Sequence, residues 1–251
     1  MQPLTRDNIR LAASVLLVRE SSSGPEVFMM KRPGRGDFPD LHVFPGGKVD
    51  EDDFVPELLD GLSDAEANSR LGLSAGAIRY WATAIRECFE ECGVLLARRD
   101  GELLQLSDPV EVARFDQYRH QLIDGELTMA QVCSTEGLTL AADHLSYFSH
   151  WLTPDSVPRR FDTRFFLACL PARQETAAHH WETAGSEWVA PAAALAAARE
   201  GAWQMISPTL TSLRSIVDYH SVPQIQQAVR EEAHLPLLTD ELRREGMQPI
   251  R

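Results

Sequence analysis

Residues 86–94 read Arg86-Glu87-Cys88-Phe89-Glu90-Glu91-Cys92-Gly93-Val94, and this stretch decides how the rest of the chain is understood. On an α-helix, positions three and four apart lie on one face. Glu87, Glu90 and Glu91 therefore bring three carboxylates into one small region, with Arg86 one turn before Glu90. Gly93 follows at a natural C′ position, where a positive φ ends a helix at little strain. Carboxylates crowded in this way repel one another at neutral pH and call for a cation. An all-oxygen donor set favours a hard ion such as Mg²⁺, Mn²⁺ or Ca²⁺. A solvated acidic helix face is the competing explanation.

A second stretch bears on that choice. Residues 44–53 read Phe-Pro-Gly-Gly-Lys-Val-Asp-Glu-Asp-Asp, a glycine turn after a short apolar run. The glycine pair allows backbone to approach a ligand or a neighbouring helix closely. Together the two stretches resemble the Nudix box, Gly-x5-Glu-x7-Arg-Glu-U-x-Glu-Glu-x-Gly-U, where U is bulky and apolar. Gly47 matches the first glycine, and Arg86, Glu87, Glu90, Glu91, Gly93 and Val94 match the second half. Cys88 fills the first U position as a small hydrophobe. There are two departures. Asp53 stands at the first glutamate, and 32 residues, 54–85, stand where the pattern has seven.

The resemblance implies an α/β fold, a Nudix-type α/β/α sandwich with a mixed β-sheet and helical insertions. It implies hydrolysis of a phosphoanhydride in a nucleoside diphosphate linked to another group, with Mg²⁺ or Mn²⁺ as cofactor. It places the metal on Glu87, Glu90 and Glu91 together with Gly47, and gives Arg86 the task of orienting Glu90 and Asp53. A fourth carboxylate often comes from a loop in this family. Glu182, five residues before Glu187-Trp188, is the candidate, and it or a box glutamate is the general base.

Composition limits the alternatives. A chain of 251 residues with 44% apolar and 24% charged residues is ordinary for a globular protein, here expected to be one domain over 1–251. No apolar run approaches the roughly 20 residues needed to span a bilayer. The N-terminal residues lack a signal-peptide layout, and the last residues are not a peroxisomal tripeptide. The four cysteines show no zinc or disulfide spacing. A cytoplasmic protein is expected, with no membrane partner. Acids outnumber Lys and Arg 37 to 24, giving a net charge of −13, and no basic stripe suited to nucleic acid is present. An anionic substrate then needs local arginines and cations. That points to a small phosphorylated, nucleotide-type molecule in a cleft. A homodimer is possible in this family.

Further along, Leu11–Val18 and Glu26–Arg32 flank Ser-Ser-Ser-Gly-Pro as a hairpin, and 42–44 is a third strand. Ser63-Asp64-Ala65-Glu66 is a capping box opening a short helix that Gly72 closes. The helix carrying the acids is expected from near Ser74 to Cys92. Residues 94–97 and 103–106 bracket a second hairpin turn, Arg-Asp-Gly. Residues 107–137 read as helical, capped by Ser107 or Asp108. Inserts are thus expected at about 54–76 and 107–137. Strands follow at 145–152, 163–170 and 187–189, then helices at 191–199, 208–219 and 222–232.

Arg32 and Arg164 are the leading candidates for phosphate recognition, since a guanidinium offers a bidentate fork. His42, His179 and His180 are poor ligands for a hard ion, and Cys88 and Cys92 read as packing residues. The long spacer inside the box, with Arg160-Phe161-Asp162-Thr163-Arg164-Phe165-Phe166, resembles the acyl-coenzyme A diphosphatase branch of the family. That branch implies cleavage of coenzyme A or acyl-CoA to 3′,5′-ADP and (acyl-)4′-phosphopantetheine. The alternatives are an ADP-ribose, NADH or dinucleotide pyrophosphatase, and a nucleotide-binding domain without turnover.

Overall fold

A computed structural model describes residues 5–6, 9–34, 40–154, 159–177 and 185–236. The first half of the chain forms β1 (Thr5–Arg6), β2 (Ile9–Ser21), β3 (Gly24–Lys31), β4 (His42–Val43), β5 (Gly46–Lys48), β6 (Leu59–Asp60), α1 (Asp64–Leu71) and α2 (Ile78–Cys92). Then come β7 (Ala97–Arg99), β8 (Glu102–Leu103), α3 (Pro109–Ile123), α4 (Met129–Glu136), β9 (Leu138–Ala141), β10 (Leu145–Leu152) and β11 (Arg160–Cys169). The remainder is β12 (Gly185–Val189), α5 (Pro191–Arg199), α6 (Ser207–Ile216) and α7 (Val222–Arg230).

The main sheet runs β10-β11-β2-β3-β12, with β1 and β5 on β2 and β4 on β3. It is mixed: β2 pairs in parallel with β11 and antiparallel with β3. The central strand β2 is buried on both faces, which explains its nearly continuous apolar run Val15-Leu16-Leu17-Val18. Because side chains alternate along a strand, Val15 and Leu17 pack with Trp81, Ile85 and Phe89 of α2. Leu16 and Val18 pack with Ala194 of α5, Leu213 and Ile216 of α6, and Ile225 and Val229 of α7. The result is helix, sheet, helix: the expected α/β/α layering.

The inserts differ from expectation. Instead of two separate helical additions, they meet in a second sheet, ordered β6-β9-β7-β8. Strand β6 lies in the first insert and pairs in parallel with β9, which follows the second, through Leu59↔Leu140 and Asp60↔Ala141. A strand of two residues has no periodicity to read, so this pairing was invisible in sequence. The Arg-Asp-Gly turn does close a hairpin, with Asp100 and Gly101 at φ 52° and 81°, and its strands belong to this smaller sheet.

Helix α2 starts at Ile78 and not near Ser74. Gly76 is left-handed at φ 75°, which breaks the helical run. The exposed N–H groups of its first turn are capped from another helix: Asn68 accepts from Ala77 N–H at 2.8 Å and Asp64 from Ile78 N–H at 3.2 Å. Helix α1 matches the sequence reading, with Ser63 and Glu66 in a reciprocal capping box and Gly72 at φ 64°. Residues 107–137 form two helices, and Asp108 caps the first.

Candidate active site

The acids of α2 lie where the helix passes the glycine turn leading into β5. Gly46 N–H donates to Glu91 Oε2 at 2.6 Å. A Cβ on Gly47 would collide with the Glu87 carboxylate, and one on Gly46 would press on Ala13 and Ser14 of β2. Only glycines let this backbone run between the strand and the acids.

Arg86 organises the cluster. Its Nε and Nη2 bond both carboxylate oxygens of Asp53, each at 2.9 Å. Nη1 reaches Glu87 at 2.9 Å and Glu90 at 3.1 Å, and Nη2 also donates to the Lys48 carbonyl at 2.9 Å. Asp53 is 3% exposed and also accepts from Thr83 Oγ1 at 2.7 Å and Asp50 N–H at 2.8 Å. The shorter acid therefore reaches the box arginine despite the long spacer. A 3₁₀ turn at Glu51–Asp53 brings it there.

Burial works against the Arg86 cation, but its hydrogen bonds to Asp53 and the charges of Glu87 and Glu90 outweigh that and hold it protonated. Burial pushes the Glu87 carboxyl up to about 8; Glu90 and Asp53 add to this, and Arg86 opposes it. So acidic a cluster in a cleft is a poor solvated surface and a good cation receiver. Among the described residues no three acids already converge on one point. Glu87 and Glu90 are turned onto Arg86, and Glu91 onto Gly46 N–H. The donor set suits a hard divalent ion, and rotation of these side chains is what binding would require.

The acids open into a cleft of about 1330 Å³. Its polar lining includes Arg86, Glu87, Glu90, Glu91, Gly46, Gly47, Lys31, Arg32 and Lys48. Its apolar lining includes Phe44, Trp151, Phe161, Phe165, Met205 and Ile206. Ile206 is 37% exposed there, unusually open for an isoleucine. The apolar lining, including Leu122 and Ile123, was absent from the sequence reading, because these are scattered hydrophobes without a motif.

Of the two arginines expected to bind phosphate, only Arg32 lines the cleft, and its buried Nε has no hydrogen-bond partner among the described residues. Arg164 does not. It is 4% exposed, within 3.3 Å of the Tyr147 hydroxyl and 3.4 Å of Asp162, with its guanidinium 5.7 Å from the centre of the Tyr80 ring. Strand alternation explains the correction: the neighbours Thr163 and Phe165 point into the cleft, so Arg164 points under the first turns of α2. Glu182, His179 and His180 lie outside the described residues. His42 stacks on Trp203 at 4.2 Å between ring centres, and Cys88 and Cys92 are fully buried packing residues.

The family described as the NUDT19 Nudix domain matches residues 75–216, more than half of the chain. The chain belongs to that Nudix family. The match begins within the long spacer, so it covers the Arg-Glu-x-x-Glu-Glu half of the box and not the glycine turn. Among curated relatives, the chain is 29% identical to the Gallus gallus acyl-coenzyme A diphosphatase NUDT19, covering 89% of this chain and 72% of that protein. It is 26% identical to the Xenopus laevis protein of the same name, over 70% of this chain and 56% of that one. The Homo sapiens protein is 24% identical, over 80% and 62%. The chain thus spans less than two thirds of the length of the frog and human relatives. Among solved structures, a NUDIX hydrolase from Alicyclobacillus acidocaldarius matches with a TM-score of 0.67 and 25% identity, covering 88% of this chain and 96% of that one. The sandwich seen here is therefore the Nudix fold. Among the described residues no helix is long and apolar enough to cross a membrane.

Proposed function

We propose that this chain hydrolyses the phosphoanhydride of coenzyme A or acyl-CoA, releasing 3′,5′-ADP and (acyl-)4′-phosphopantetheine. The observation carrying this reading is the lining of the cleft, which combines clustered acids and an arginine nitrogen without a partner among the described residues with several apolar side chains. Such a lining suits a substrate that carries both charged and apolar groups. The acyl-coenzyme A diphosphatase names of the relatives point the same way.

Glu87, Glu90 and Glu91 would hold Mg²⁺ or Mn²⁺ beside the Gly46-Gly47 backbone. When bound, such an ion neutralises phosphate charge and makes its water more acidic. Arg86 ties the acids to Asp53 and so fixes the last two turns of α2 relative to the glycine turn. Arg32 supplies charge-assisted bonds to phosphate oxygens. Glu182 or one of the box glutamates accepts the proton of the attacking water. The apolar lining shelters the pantetheine and acyl portion, where water exclusion strengthens the contacts at the acids.

The test is a panel of CoA, acetyl-CoA, longer acyl-CoA, ADP-ribose, NADH and diadenosine polyphosphates, with products identified by mass. Expected is 3′,5′-ADP from CoA species only. Turnover should disappear with EDTA, return with Mg²⁺ or Mn²⁺, and be lost in Glu90→Gln and Glu91→Gln. Preferred cleavage of ADP-ribose or NADH would replace the substrate. Nucleotide binding without turnover by wild type would sink the enzyme reading.

A further inference from the structure

Helix α2 ends at the carboxylates, and the carbonyls of its last turn have no partner within the helix. Each is satisfied from elsewhere. Gly93 N–H, left-handed at φ 74°, donates to the Phe89 carbonyl at 2.9 Å. Ala177 N–H donates to the Cys92 carbonyl at 2.9 Å. The two between, belonging to Glu90 and Glu91, are taken by one side chain. Arg119 Nε donates to the Glu90 carbonyl at 2.8 Å, and Nη2 to the Glu91 carbonyl at 3.1 Å.

Arg119 comes from α3, inside the second insert, and is 3% exposed. It lies outside every position of the box pattern. From these contacts we infer that Arg119 is a positioning residue for the metal-binding turn. Its planar fork fixes the backbone from which the Glu90 and Glu91 side chains project. Its charge also offsets the negative end of the α2 dipole, which adds to the repulsion among the acids. The same helix is seated on α2 by the edge contact of Phe115 with Phe89, at 6.4 Å between ring centres. It ends in Leu122 and Ile123, which line the cleft. The insert is thereby part of the site, coupling the cleft wall to the metal-bearing turn.

This rests on the metal reading above, and the experiment separates the two. Mn²⁺ binding is measured by calorimetry on wild type, Arg119→Lys, Arg119→Met and Glu136→Gln, with circular dichroism and thermal melting alongside. Glu136 ties α4 to Arg99 at the end of β7 and to Arg114 and Tyr118 of α3, so its variant loosens the insert without removing a hydrogen bond to α2. Removing a partner that orients metal ligands typically weakens affinity by about 10–100-fold. Arg119→Met should fall in that range. Arg119→Lys, which keeps the charge but not the fork, should lie between it and wild type. Glu136→Gln should melt earlier yet bind Mn²⁺ as wild type does. Unchanged affinity in Arg119→Lys and Arg119→Met overturns the inference, as does an equal loss in Glu136→Gln. Should Arg119→Met not fold, Arg119→Lys decides alone: weaker binding supports the inference, and wild-type affinity overturns it. Absence of Mn²⁺ binding by wild type removes the metal reading and this inference with it.

Discussion

Replacing Asp53 by alanine probes the link that holds the split box together. Asp53 is 3% exposed and accepts four hydrogen bonds: two from Arg86, one from Thr83 and one from the Asp50 N–H. The variant strands one side of a buried guanidinium and takes the acceptor from the Asp50 N–H, while the Thr83 hydroxyl keeps the Arg79 carbonyl at 2.8 Å. Breaking a buried ion pair by removing one partner costs roughly 3–5 kcal/mol. Arg86 keeps Glu87, Glu90 and the Lys48 carbonyl, so the low end applies, about 3 kcal/mol. For a chain of this size that lowers the melting temperature by about 6–12 °C. The assay is urea unfolding and calorimetry beside Asp52→Ala, which removes an exposed acid from the same 3₁₀ turn and should stay within about 0.5 kcal/mol. If Asp53→Ala costs no more than Asp52→Ala, Asp53 is not the acid that anchors the box arginine, and the assignment across the long spacer is wrong.

Gly47→Ala should displace the Glu87 carboxylate and weaken Mn²⁺ binding by about tenfold, read by calorimetry; wild-type affinity would mean the glycine turn does not constrain the acids. Arg32→Gln should reduce kcat/KM for CoA by about 10–100-fold, as expected for losing a charge-assisted bond of about 1.5–3 kcal/mol; unchanged steady-state kinetics would remove Arg32 from phosphate recognition. Burial holds His42 and His234 below the ordinary histidine value, with Lys31 adding to the effect at His42. Below pH 6.5 these two histidines take up protons in the unfolded chain that they refuse in the folded one, so the stability they contribute is complete above pH 6.5 and is lost as pH falls below it, while Glu87, pushed up to about 8, acts in the opposite sense. The unfolding free energy of wild type minus that of His234→Gln, in which the Glu87 contribution cancels, should fall between pH 7.5 and 5.5; a difference that does not change with pH would acquit His234.

The sequence by itself determined the main sheet's strands other than the short β1 and β5, the capping of α1 by Ser63 and its end at Gly72, and the family, because each depends on short-range pattern. Alternation, capping boxes and the spacing of Glu87, Glu90 and Glu91 act within one or two turns of chain. Tertiary structure alone decided the rest. Asp53 reaches Arg86 because the first insert loops out and returns, and α2 begins where side chains of α1 cap it. The face of β11 excludes Arg164 from the cleft, although its neighbours in sequence line it. The apolar lining of the cleft, the sheet shared by the two inserts and the grip of Arg119 on α2 join residues far apart in the chain. Those contacts depend on packing geometry, which leaves no local period in a sequence.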